Sequence, residues 1–120
     1  MKRRPLSLEQ FCRIVGAAVE SLPAAFHAYI ENVVVDVQDQ PTEQDLAALD
    51  DREDVSDEVD LLGLFVGVPI TQQAYGDHHP NVIKIFRRPM LAASPTRSIL
   101  VRNIKATVIH ELAHHFGFSE

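Results

Sequence analysis

One cysteine, Cys12, is all the sequence holds, so no disulfide can form within the chain. It falls among the apolar positions of a helical stretch with no activating partner nearby in sequence, which predicts a reduced core residue rather than a reactive thiol. Long apolar runs are missing as well. Nothing approaches the roughly 18 to 20 consecutive apolar residues of a membrane-spanning helix. The basic start, Met1 to Pro5, is followed by Glu9, Gln10 and Arg13, where a signal peptide needs an unbroken apolar segment. Cations are in deficit: 11 Lys and Arg stand against 17 Asp and Glu, a net charge of −6. That balance argues against a general nucleic-acid binder, which needs a dense cationic surface to displace counterions. At 120 residues there is no room for two lobes around a cleft, yet 46% hydrophobic residues suffice for one core. The expectation is a single domain spanning 1–120, cytoplasmic, with no membrane or nucleic-acid partner.

What charge there is lies unevenly. Residues 31–60 sum to −11 and residues 61–110 to +5. The acidic segment, about 43–60, has little apolar content beyond Leu46, Leu49, Val55 and Val59. It is expected to be solvated, helical near 42–49 and mobile afterwards. It lacks the glycine and ligand spacing of a calcium loop.

Apolar periodicity places the remaining elements. Leu8, Phe11, Cys12, Val15, Val19 and Leu22 recur at three- and four-residue spacing behind Ser7, a good N-cap, and predict an amphipathic helix. Pro23 opens a short second helix with Phe26 and Ile30. The β-branched run Val33 to Val37 predicts a strand, as do Leu61 to Val66 and Val82 to Phe86, with a punctuated loop from Gly67 to Pro80. Ser94-Pro95 looks like a helix start, followed by a stripe of Leu100, Ile104, Val108, Leu112 and Phe116, with Gly117 as the stop. The fold class is α/β or α+β, with a small sheet and a C-terminal helix.

That helix ends in His110-Glu111-Leu112-Ala113-His114, a His-Glu-x-x-His motif. Histidines four residues apart differ by about 40° around a helix axis and one turn along it, so both imidazoles can reach one ion, and Zn²⁺ accepts that arrangement. Glu111, rotated by about 100°, stays off the metal but can take a proton from a nearby water. A catalytic zinc usually has a third protein ligand. Glu120, six residues after His114 and three after Gly117, has the spacing to supply it, through its side chain or through the final carboxylate. His115 projects away from the two ligands and is expected to support the site structurally. With 6 His in 120 residues, the extended pattern seldom arises by chance.

At these residues the chain resembles the zincins, and more closely a group of small single-domain bacterial zincin-like metallopeptidases. Phe11 to Pro23 resembles their leading helix, Ile30 to Val35 the start of the first strand, and Leu62 to Pro69 a further shared segment. The resemblance implies a minimal zincin-like core with a small mixed sheet of three to four strands. In it the strand at Leu61 to Val66 is the antiparallel edge along the cleft, and the strand at Asn81 to Phe86 precedes the active-site helix. An exposed edge could pair with an extended peptide, and Gly63 and Gly67 would allow close approach.

Two functions follow as expectations. The first is a zinc-dependent metallopeptidase acting on a peptide or protein substrate, with His110, His114 and Glu120 holding Zn²⁺ and Glu111 as general base. The second is a zinc-bound binding or regulatory module with little hydrolytic activity, since so short a chain offers few specificity pockets. Tyr75, His78 and His79 are weaker candidates for stabilising an oxyanion, with a merely polar loop favoured; His27 has no evident partner. The basic residues from Lys84 to Lys105 read as a solvated face.

Overall fold

A computed structural model describes residues 6–31, 33–49, 61–66 and 81–116. The acidic residues 50–60, the loop carrying Gly67, Tyr75, His78 and His79, and the tail with Gly117 and Glu120 lie outside the described residues, together with the expectations placed on them.

Helix α1 (Leu8–Glu20) begins where Ser7 predicts. The Ser7 hydroxyl accepts from the Gln10 amide at 3.1 Å while the Gln10 side chain accepts from the Ser7 amide at 3.0 Å, a reciprocal cap that satisfies two otherwise orphaned donors. Its buried face is Phe11, Val15 and Ala18, continued by Leu22. Cys12 is exposed, contrary to the core position expected of it, because it lies about 100° around the helix from Phe11. Helix α2 (Ala24–Ile30) follows Pro23. His27 does have a partner: its Nε2 lies 2.9 Å from the Leu22 carbonyl oxygen, closing the turn between the two helices.

Strands β1 (Val33–Gln38), β2 (Gly63–Val66) and β3 (Asn81–Phe86) form one mixed sheet in the order β1-β3-β2. β1 runs parallel to β3 and β2 antiparallel to it, so among the described residues β2 is an edge, as expected. Between β1 and β2, helix α3 (Glu43–Leu49) occupies the start of the acidic segment. That start is not simply solvated: Asp45 is buried. Its carboxylate accepts from Lys84 Nζ of β3 at 2.8 Å and from the Thr42 amide at 2.9 Å, and the Thr42 hydroxyl accepts from the Asp45 amide. Burial by itself raises the Asp45 pKa, but the bonds from Lys84 and Thr42 outweigh it and hold the carboxyl below its ordinary value of 3.8.

Two features after β3 depart from expectation. A short helix, α4 (Arg87–Ala92), stands between β3 and the last helix, with Pro89 tolerated in its first turn. The last helix, α5 (Arg97–Phe116), starts two residues later than Ser94-Pro95 suggests. Thr96 is its cap, accepting from the Ile99 amide at 3.2 Å, while Ser94 instead turns back to donate to the Met90 carbonyl at 2.6 Å. Ile83 and Ile85 on one face of β3 meet Leu100, Ile104, Val108 and Leu112 of α5 and Phe11 and Val15 of α1 in a single core. Phe116, the last of the predicted stripe, is 41% exposed. Four-residue steps drift by about 40° each, so four of them carry it off the core face.

Candidate metal centre

Helix α5 packs along β2, and the contact is set by Gly63. A Cβ there would stand 2.5 Å from Thr107 Cγ2 and 3.0 Å from the Lys84 carbonyl oxygen, so only glycine lets the helix come this close. The close approach foreseen for Gly63 is thus made by the chain's own helix.

One turn beyond Thr107, Glu111 meets the strand. It is only 4% exposed, and its Oε1 accepts from the main-chain N–H of Phe65 at 2.8 Å. One further turn on, the His115 ring stacks on the Phe65 ring, centroids 3.9 Å apart and planes 16° from parallel. Partial loss of water around the ring pushes the His115 imidazole below its ordinary pKa of 6.5, since the charged form is the better hydrated one. His115 therefore sits on the Glu111 side of the helix, away from the other two histidines. Phe116 closes the same end, edge-on to His115 and tilted against Tyr29.

His110 and His114 lie side by side on the exposed flank of α5, ring centroids 5.6 Å apart and planes at 57°. A zinc ion about 2.0–2.1 Å from each ligating nitrogen stands about 3.2 Å from each ring centre, so two rings sharing one ion have centres no more than about 6.4 Å apart. The observed spacing lies inside that reach, and neutral imidazoles are donors that zinc accepts. The pair fits the metal. Among the described residues no group of three His, Cys, Asp or Glu is gathered for a metal, and the expected third ligand, Glu120, lies outside them.

Sequence reasoning had no means of finding the Phe65 contribution. It is made by a backbone amide, which any residue but proline carries, and only the strand's register reveals where that amide points.

No curated protein matches the chain. Among solved structures it is similar to a conserved hypothetical protein from T. thermophilus, with 20% sequence identity, a TM-score of 0.58, and coverage of 92% of this chain and 94% of that one. At that identity the likeness speaks for the fold alone: a small α/β domain with a mixed three-stranded sheet and a C-terminal helix. Among the described residues no helix is long and apolar enough to cross a membrane. The zincin-like metallopeptidase family matches residues 30–120, which takes in the whole sheet, helix α5 and the His-Glu-x-x-His motif, and the chain belongs to that family.

Proposed function

We propose that this protein is a zinc-dependent metallopeptidase in which His110 and His114, with Glu120 as third ligand, hold the ion and Glu111 is the general base. The observation that carries the reading is the placement of Glu111: a buried carboxylate fixed against the edge strand, one residue along the helix from His110. A bound zinc supplies polarisation of the scissile carbonyl and a lowered pKa for water. Glu111 takes a proton from the attacking water as its oxygen bonds to the carbonyl carbon. It returns a proton to the nitrogen as the C–N bond breaks, leaving an acid and an amine with the carboxylate restored. Strand β2, an edge among the described residues, presents backbone groups beside this carboxylate, which suits an extended peptide substrate. The single exposed thiol agrees with a cytoplasmic setting.

Metal analysis of the purified protein is expected to give about one zinc per chain. Loss of zinc in both His110→Ala and His114→Ala supports the site; retention in either overturns it. A diverse peptide library, incubated with the zinc-loaded protein and with Glu111→Gln, tests the activity. Cleavage by the first and not the second supports the peptidase. Zinc binding with no cleavage by either favours a binding module.

A further inference from the structure

We propose that the main-chain amide of Phe65 is a positioning group for the general base, holding Glu111 Oε1 on the strand edge and so fixing the carboxylate for proton transfer. This rests on the peptidase reading above. The register of the sheet shows why the amide is available. Phe86 N–H donates to the Leu62 carbonyl directly opposite, at 3.0 Å, and the pairing continues Gly63 to Ile85, Leu64 to Lys84 and Phe65 to Ile83. In an antiparallel pair, bonded and non-bonded positions alternate, so Leu62 and Leu64 bond to β3 while Gly63 and Phe65 direct their N–H and C=O away from it. The Phe65 N–H is therefore spare to the ladder, and it is the one Glu111 engages.

Helix and strand are matched in step along this contact. Four residues of helix advance about 6 Å and two residues of strand about 6.6 Å. Thr107 on Gly63 and Glu111 on Phe65 thus fall in phase, and His115 covers the Phe65 ring one turn further. Contacts on both sides of Glu111 keep the amide and the carboxylate facing each other. A glutamate's last torsion is otherwise broad, and a carboxylate free to swing spends little time aligned on its water. A buried N–H···O⁻ bond removes that freedom.

The experiment replaces the amide by an ester, putting the α-hydroxy analogue of phenylalanine at position 65 of the full chain. The ring is kept, and no N–H of the ladder is lost. An ester at Gly63, the other off-ladder position, controls for the weaker carbonyl that any ester introduces. With Zn²⁺ bound at unchanged stoichiometry, the ester at 65 is expected to lower kcat about 10- to 100-fold with KM within about threefold, and the ester at 63 to leave kcat within about threefold. An unchanged kcat at 65, a raised one, or equal losses at 63 and 65 overturns the proposal. Hydrogen exchange reads the same hold without a substrate. In the Zn²⁺-loaded protein, the Phe65 amide is expected to exchange about tenfold or more faster in Glu111→Ala than in the wild type, and equal rates overturn the hold. If the wild type cleaves no peptide, it is the peptidase reading that fails, and the exchange comparison alone decides whether the amide holds the carboxylate.

Discussion

A methyl group of Thr107 occupies the space that a side chain at position 63 would need, standing 2.5 Å from where the Cβ would be. This contact brings α5 down onto β2 and sets the height at which Glu111 meets Phe65. Gly63→Ala is expected to cost about 1–3 kcal/mol in denaturant unfolding, the usual range for overpacking. Adding Thr107→Ser removes the methyl and should recover part of the loss, the Lys84 carbonyl contact at 3.0 Å accounting for the remainder. No recovery in the double variant would show that the strain lies elsewhere.

Glu111 has a structural role separable from its proposed role as base. Glutamine at 111 keeps a carbonyl oxygen for the Phe65 N–H, whereas alanine leaves that buried donor unsatisfied. Glu111→Ala should therefore lower stability by about 1–3 kcal/mol and Glu111→Gln by less than about 1 kcal/mol, with zinc content unchanged in both. Equal destabilisation in the two variants would contradict the bond.

His115 should behave unlike its neighbour. Removing its stack on Phe65 in His115→Ala is expected to cost about 0.5–1.5 kcal/mol while zinc stays bound, and His115→Phe should restore most of the stability. His114→Ala should instead lose the metal. Loss of zinc in His115→Phe would make His115 a ligand.

The Asp45–Lys84 pair predicts a pH dependence. Because the folded carboxyl titrates below 3.8, its contribution is complete well above that value and is lost as the pH falls from there through the lower folded pKa. Lys84→Met leaves the buried carboxylate without its cation and should cost about 1–3 kcal/mol at pH 7. The gap to wild type should narrow as Asp45 protonates. A gap independent of pH would mean that the lysine stem, rather than its charge, matters.

Cys12 should react with a thiol reagent in the native protein as fast as in the unfolded chain, and Cys12→Ser should change stability by less than about 0.5 kcal/mol. Slow native labelling would return it to the core.

Much of this arrangement was legible in the residues. The Ser7 cap, the β-branched run of β1, the apolar stripe of α5 and the paired histidines depend on local pattern, and all stand close to where the pattern puts them. What escaped was decided at a distance. Cys12 and Phe11 are neighbours in sequence and equally apolar, and only the direction of the core separates them. Asp45 reads as one more acid in a solvated run until Lys84, 39 residues away, claims it. Ser94 and Thr96 are both competent caps; the choice fell to Thr96 because the Ser94 hydroxyl closes α4 on Met90. At the candidate site, residue types pointed to His110, His114 and Glu111, but not to the backbone N–H of Phe65 that Glu111 engages.

The strand order β1-β3-β2 also bears on how the protein forms. Among the described residues, neither outer strand pairs with the other; both wait for β3, the last of the three in sequence. Val33 finds its ladder partner only when Asn81 arrives, a long-range closure across 48 residues. A ribosome making this chain therefore releases β1 well before it has a sheet to join. Negative charge next to a β-branched strand discourages premature pairing with other chains during that interval.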